Sequence, residues 1–342
     1  MYQKGDKMTI DEIAGLAGVS KTTVSRVLNN KPDVNPETRE LIKKLIEKYD
    51  FHPNAFAKAI TLKKSHNIGL IIPYDAEYIF SNPFYVEVMR GVSTEVNRKG
   101  YYLLICYPHE NNYINIYKQK RVDGFVVLSP GTFHTNIIKD LNDLQAPFVA
   151  TAKINGEKNM VSVDVDNYYG ATLAMEHLIS LGHRKIGFIG KPSLASSQER
   201  LRGYREAIHK SGLFFDESMA IVSTTSSIKS GHEAMKRLIS SHPNLTAVFA
   251  ANDLMAIGAY KAVEESGRKI PDDISVVGFD DIPIIEYIKP SLTTIRQPAF
   301  EKGIKATKIL IQYLEKKQKP KSVTMDVELV VRESTAKPGN KA

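Results

Sequence analysis

The sequence has a single cysteine among its 342 residues, which excludes a disulfide framework and a multi-cysteine metal site. That residue, Cys106, lies in the apolar run "YYLLIC" and is expected to be a small buried core residue. No stretch approaches the roughly 18 apolar residues of a membrane-spanning helix. The opening segment "MYQKGDKMTI" lacks the apolar core of a signal peptide. The expected location is therefore the cytoplasm, with no membrane contact. Met8 offers a second candidate start besides Met1.

Signatures of catalysis are also missing. The segment "GFIGKPS" at 187–193 resembles a phosphate loop, but only two residues separate its glycines and Pro192 follows Lys191. A P-loop needs four residues there and Ser or Thr after the Lys. The nine histidines are scattered without metal-ligand spacing, and no Gly-x-Ser-x-Gly elbow occurs. We therefore expect no catalytic residues, no metal and no cofactor.

What is present is a chain of ordinary globular composition, 42% hydrophobic and 25% charged, long enough for two or three compact units. Its formal charge of +8 is uneven, because residues 1–66 hold twelve Lys or Arg against eight Asp or Glu. A basic first segment points to an anionic partner, although a solvated surface is the commoner explanation.

Within that segment "TIDEIAGLAGVS" carries Ile10, Ile13, Ala14 and Ala17 at helical spacing, with Thr9 and Glu12 as a capping box. Gly18 supplies a turn and Ser20 a cap for the next helix, "KTTVSRVLN". At about 100° per residue, Val24, Val27 and Leu28 share one side of that helix, while Lys21, Thr22, Ser25, Arg26 and Asn29 fill the other. Two helices joined by about three residues form a helix-turn-helix, whose second helix enters the DNA major groove. A third helix is predicted in "NPETRELIKKLIEKYD", capped by Asn35 and opened by Pro36, with Leu41, Ile42, Leu45, Ile46 and Tyr49 as its inner stripe. Pro53 opens a short helix to about Ile60, followed by a basic linker.

From Asn67 onward the composition changes. Strand-like runs "IGLII", "YYLLIC", "VDGFVVL", "PFVA", "VSVDV", "KIGFIG", "AIVST", "TAVFA" and "ISVVGFD" alternate with amphipathic stretches. That alternation predicts parallel sheets with helices on both faces, in two α/β lobes. Polar residues follow several of the strands: Ser196 and Arg200, Asn252 and Asp253, Asp280 and Asp281. Ligands bind outside the carboxyl ends of such strands. Each of these residues also reads as a helix cap, Asn252 above all.

Taken in order, "TIDEIAGLAGVSKTTVSRVLNNKPDVNPETR", "HPNAFAKAI", "NPFYVEVMRGV", "LGHRKIGFIG", "FAANDLMAIGAY", "ISVVGFDD", "SLTTIRQP" and "VVRES" make a sequence that resembles the lactose-repressor and galactose-repressor family of bacterial transcription regulators, nearly end to end. The resemblance implies an all-α helix-turn-helix headpiece (1–51), a hinge helix and linker (52–66), and a two-lobed α/β core (67–342) like that of periplasmic binding proteins. Lobe 1 is expected at about 67–166 and 297–327, lobe 2 at about 167–296 and 328–335. It implies a homodimer on a pseudo-palindromic double-stranded operator, nucleoid-associated, answering to a small molecule between the lobes.

Of the residues expected at DNA, the resemblance carries Lys21, Thr22 and Arg26 over to base reading and Ile60 to the minor-groove wedge. Thr9, Ser20, Thr23, Ser25, Asn29, Asn54, Ala57 and Lys58 complete the expected DNA-binding set. Phe84, Tyr85, Ser196, Arg200, Asn252, Asp280 and Gln297 are expected at the effector, for which a sugar or sugar derivative suits the Arg, Asp and amide groups. Three features depart from the family pattern: "AKAI" in the hinge, Ala152 after "FVAT", and the long "YDAEYIFSNPF". The expected function is operon repression under effector control. The alternatives are control by a protein corepressor, a solute-binding protein without a DNA role, or an enzyme on an α/β scaffold.

Overall fold

The computed structural model describes residues 8–52, 64–108, 112–129, 131, 135–154, 156–191, 195–316 and 320–339. Two compact units divide the chain, residues 1–65 and residues 66–342.

Three helices make the first unit: α1 (Ile10–Ala17), α2 (Lys21–Leu28) and α3 (Pro36–Lys48). Thr9 and Glu12 form the reciprocal capping box, and the Ser20 side chain accepts from the Thr23 N–H. Gly18 ends α1 at φ 63°, a left-handed conformation that is costly for residues with a Cβ. Ile13, Ala14, Val24, Val27, Val34, Ile42 and Phe51 pack into one core. Burial of each large member contributes about 1.5–3 kcal/mol, which holds together helices too short to stand alone.

The inner stripe of α3 is narrower than expected. Ile42 is fully buried and Leu45, Ile46 and Tyr49 pack beside it, but Leu41 is 44% exposed. One residue's rotation of about 100° carries it off the face that Ile42 centres. The helix expected from Pro53 to about Ile60 lies outside the described residues, and so do Asn54, Ala57, Lys58 and Ile60.

In the second unit β1 (Asn67–Ile71), β2 (Tyr102–Cys106), β3 (Gly124–Val127) and β4 (Phe148–Ala150) form a parallel sheet in the order β2-β1-β3-β4. Cys106 is buried there. After β5 (Val163–Val165) comes a second sheet of β6 (Ile186–Gly190), β7 (Ala220–Val222), β8 (Ala247–Ala250), β9 (Ser275–Asp280) and β10 (Thr293–Arg296). Near the end of the chain β11 (Val323–Met325) pairs with β5, and β12 (Glu328–Val330) adds to the second sheet, ordered β12-β10-β9-β8-β6-β7. β12 runs antiparallel to β10, so the second sheet is not wholly parallel as expected. The strands β10, β11 and β12 are additions to the nine runs read from sequence.

Helices α4 (Ala76–Phe80), α5 (Pro83–Arg98), α6 (Asn112–Lys118) and α7 (Thr135–Asp143) belong to the first lobe. Helices α8 (Asn167–Ser180), α9 (Ala195–Lys210), α10 (Ile228–Ser241) and α11 (Asp253–Glu265) belong to the second. The chain leaves the first sheet after β4, enters the second at β6, and after β11 rejoins the second as β12. Helix α12 (Ala299–Lys316) returns to the first lobe and packs on α5, β3 and β4. Those two helices touch backbone to backbone: a Cβ at Gly91 would lie 2.0 Å from the Phe300 carbonyl oxygen, and one at Gly303 would lie 2.1 Å from that of Val88. This close approach sets Lys302 beside Phe84, 5.5 Å from its ring centre.

Candidate functional site

In the first unit, packing of Val24 and Val27 turns the opposite face of α2 outward, where Lys21, Thr22, Arg26 and Asn29 are exposed and Thr23 and Ser25 are half-buried. Not all of these side chains are idle. Lys21 Nζ lies 2.8 Å from Asp11 and Arg26 lies 3.3 Å from Asp33. Asn29 donates to the Ser25 carbonyl at 2.9 Å, while Ser20 and Thr9 cap their helices. The surface combines cationic groups, hydroxyls and an amide on one short helix, which are the types that contact phosphates and base edges.

The second site lies where the chain crosses between lobes. Phe84 and Tyr85 open α5, and Asn82 accepts from the Phe84 N–H at 3.0 Å. Ser196 and Arg200 lie on the first turns of α9, Asp280 ends β9, and Gln297 follows β10. A cavity of about 40 Å³ is lined by Phe84, Tyr85, Ser196, Arg200, Gln297 and Lys302 among others. An adjoining cavity of about 300 Å³ shares Lys153, Asp164, Asn167, Ala195 and Ser196 with it. That larger volume is at the lower end of the range for small-molecule pockets, about 300–1,000 Å³.

Along this cleft runs a buried chain of hydrogen bonds and ion pairs. Arg200 Nε donates to Asn167 Oδ1 at 2.9 Å and its guanidinium lies 3.6 Å from Asp280 and 3.5 Å from the centre of the Phe279 ring. Gln297 Nε2 donates to Asp280 at 2.5 Å, and Lys302 Nζ donates to Gln297 Oε1 at 3.1 Å and to Asp164 Oδ1 at 3.2 Å. Burial pushes the Asp280 carboxyl up to about 6, while Arg200, Gln297 and Lys302 pull it down. Burial lowers the Arg200 guanidinium, with Asp280 opposing.

The backbone at the end of β9 is strained, with φ of 122° at Asp280 and 61° at Asp281. Such conformations cost about 1–3 kcal/mol each and collect at functional sites. Here the bend sends Asp280 toward Arg200 and Gln297, and Asp281 toward Arg332 at 2.7 Å.

Beside the cavity, Tyr74, Tyr78 and Tyr85 cluster with ring centres 5.5–6.2 Å apart. Burial raises all three hydroxyl pKa values. The long segment "YDAEYIFSNPF" supplies Tyr74 and Tyr78 and folds into α4. From there Tyr78 reaches the second lobe: it hydrogen-bonds Ser226, and Lys191 Nζ is 5.9 Å from its ring centre.

Residues 9–54 match the model for bacterial regulatory proteins of the lacI family, and residues 175–335 match the periplasmic binding protein-like domain. The transcriptional regulator DegA of Bacillus subtilis (strain 168) is 34% identical over 96% of this chain and 98% of its own. The chain belongs to the lacI family of bacterial regulatory proteins. Among solved structures, a complex of the transcriptional regulator CelR with cellobiose matches with TM-score 0.75 and 30% identity, over 96% of this chain and 99% of that one. A lac repressor dimer bound to operator and the anti-inducer ONPF matches with TM-score 0.85 and 25% identity, over 97% and 100%. This lacI-family chain is a DNA-binding transcriptional regulator with an effector-binding core, joining a helix-turn-helix headpiece to a periplasmic-binding-protein-like fold. Among the described residues, no helix is long and apolar enough to cross a membrane.

Of the seven residues expected at the effector, Phe84, Tyr85, Ser196, Arg200 and Gln297 line the cavity. Asp280 lies behind them, joined to Arg200 and Gln297. Asn252 is not among the lining residues; its side chain caps α11 by accepting from the Met255 N–H at 2.8 Å. Sequence reasoning did not find Asp164, Asn167 or Lys302. For two of them the signal was a polar residue inside an apolar pattern: Asp164 within "VSVDV", and Lys302 on the helical stripe of Ala306 and Leu310.

Proposed function

We propose that this regulator is a repressor of a carbohydrate-utilisation operon, whose grip on a pseudo-palindromic operator is set by a sugar or sugar derivative bound between the core lobes. The observation that carries this reading is that Arg200 and Gln297, joined through the buried Asp280 behind them, line the interlobe cavity. Arg and carboxylate groups beside the aromatic residues Phe84 and Tyr85 suit hydroxyl-rich ligands with an apolar ring face. The named contents of similar structures support it, since CelR is complexed with cellobiose and a lacI-family regulator of Enterococcus faecium binds ribose.

In this reading residues 1–51 are the headpiece, 52–66 the hinge and linker, and 67–342 the core, with lobe 1 at about 67–166 and 297–327. Two chains pair, as in the lac repressor dimer on its operator. Lys21, Thr22 and Arg26 read bases in the major groove, Thr9, Ser20, Thr23, Ser25 and Asn29 contact the backbone, and Asn54, Ala57, Lys58 and Ile60 engage the minor groove. Effector binding shifts the lobes and with them the DNA-competent population. Only a difference in affinity between the two states can do so, about 1.4 kcal/mol for each tenfold change.

The test selects an operator from a random DNA pool and follows its fluorescence anisotropy at fixed salt, because phosphate contacts make affinity salt-dependent. Sugars, sugar acids, sugar phosphates and nucleobases are then titrated in. A sugar that lowers operator binding in the parent but not in Arg200→Ala supports the reading. A nucleobase as the sole active compound overturns the carbohydrate assignment, and no selectable DNA site overturns the headpiece assignment.

A further inference from the structure

Helix α12 is apolar where it meets the first sheet, through Ala306, Leu310 and Ile311. At the cavity the pattern breaks. Lys302 is 2% exposed and Asp164 4% exposed, and their side chains form an ion pair within the lining. Buried ion pairs are often no more stable than apolar pairs of similar volume, so the fold does not require this one.

Both partners have capacity to spare among the described residues. The Lys302 ammonium has three N–H donors, of which Asp164 and Gln297 take two. Asp164 accepts from the Val165 and Lys153 N–H groups and from Lys302, leaving one of about four acceptor positions. The pair thus offers a donor and an acceptor side by side, the combination a hydroxyl group answers. Across Gln297, Arg200 adds guanidinium donors to the same lining, with Asp280 behind it.

Charge narrows the ligand further. Two buried cations, Lys302 and Arg200, are matched by two buried carboxylates, Asp164 and Asp280. The remaining charged lining groups are Lys153, Asp166 and Glu199, which leave no positive surplus for a carboxylate or phosphate. Building on that reading of the effector cleft, we propose that Lys302 and Asp164 form a second hydroxyl-binding subsite, which makes the effector an uncharged polyhydroxylated molecule held between this pair and Arg200.

The experiment uses the full chain and isothermal titration calorimetry near neutral pH, with ribose, glucose, cellobiose and xylitol as uncharged probes and glucuronate and glucose 6-phosphate as anionic ones. At least one uncharged probe is expected to bind the parent. The double variant Lys302→Met with Asp164→Leu, which restores an apolar pair, should weaken that probe by about tenfold or more, since unpaired hydroxyls penalise binding strongly. Lys308→Met, an exposed change on the same helix, should leave it within about twofold. Deoxy analogues add a readout that a structural role would not move: loss of the contacted hydroxyl should cost the parent more than the variant. If the double variant does not fold, Lys302→Leu with Asp164→Val, another apolar pair, carries the same comparison.

Binding of anionic probes alone, binding of no uncharged probe, or a folded variant that keeps its affinity overturns the proposal. A response still lost in Arg200→Ala would then show the wider effector reading standing without this subsite.

Discussion

The two polar sites of this regulator are built on opposite principles. On the headpiece, Lys21–Asp11 and Arg26–Asp33 join residues near in sequence, and all four side chains are more than half exposed. In the core, Arg200–Asp280 and Lys302–Asp164 join residues 80 and 138 positions apart, and every side chain is nearly sealed from water. Exposed pairs contribute about 0–1 kcal/mol, so the cationic groups on α2 can give up a carboxylate at little cost. Buried pairs are held rigidly, because removing one partner strands a charge. The surface site can be remodelled by its ligand; the cleft must be prepared before its ligand arrives.

The strongest way to break that contrast is to remove one buried partner. Arg200→Ala leaves Asp280 without its guanidinium and should destabilise the core by about 3–5 kcal/mol, read as a lower urea midpoint, and should abolish the effector response. A midpoint unchanged from the parent would place Arg200 outside the structural network. Next in size is Arg26→Ala, whose effect should fall on DNA alone: about 1–3 kcal/mol per lost base contact, with relaxed operator selectivity and unaltered effector affinity by calorimetry. Equal operator binding by parent and variant would remove Arg26 from the reading face.

The same contrast explains how much was legible in the sequence. The headpiece site follows from periodicity within a few turns, so Val24, Val27 and the polar face of α2 could be placed from spacing alone. Leu41 failed because an apolar residue at the margin of a stripe fits the pattern as well as one at its centre. In the core, strand runs bounded by turns were readable, whereas β10 and β11 have threonines and few apolar residues, "TTIR" and "VTM", and β12 adds only "ELV" at a sheet edge. The last two owe their existence to partners far away in sequence, β5 and β10. Lys302 hid for a related reason: helix α12 carries other lysines at Lys305, Lys308 and Lys316, and only tertiary packing turns one inward. Asn252 was readable both as ligand and as cap, and the cap is what the hydrogen bond at Met255 displays.

A pH titration sharpens the contrast, because exposed pairs on the headpiece have no comparable buried carboxyl. Asp280 is raised by burial from 3.8 to about 6. Between about pH 4 and 6 the folded core therefore holds a proton that the unfolded chain has released, so by linkage this group's contribution to stability falls as pH rises through that window. Effector binding should move the other way. Ionised Asp280 holds the lining residues Arg200 and Gln297 in place, so the effector binds better as pH rises through about 6, by at most about tenfold per unit. Calorimetry from pH 5 to 8 checks this, and Asp280→Asn should flatten the profile. Affinity that falls as pH rises would mean that the protonated carboxyl is the form the effector uses.

The smallest effect expected is at Asp33. Asp33→Asn removes a charge from an exposed pair with Arg26, so stability should change by less than about 1 kcal/mol. Its consequence for DNA has a definite sign. The free Arg26 guanidinium no longer has to leave a carboxylate before reaching a base or phosphate, and one negative charge near the anionic duplex is gone. Non-specific DNA should therefore bind severalfold more tightly at low salt, and the gain should shrink as salt rises, since an exposed charge interaction is screened within about 10 Å at 0.1 M. Anisotropy against a scrambled duplex across a salt series measures it. A gain that survives high salt would mean that Asp33 positions Arg26 by shape rather than by charge, and the surface site would then share the rigidity of the cleft.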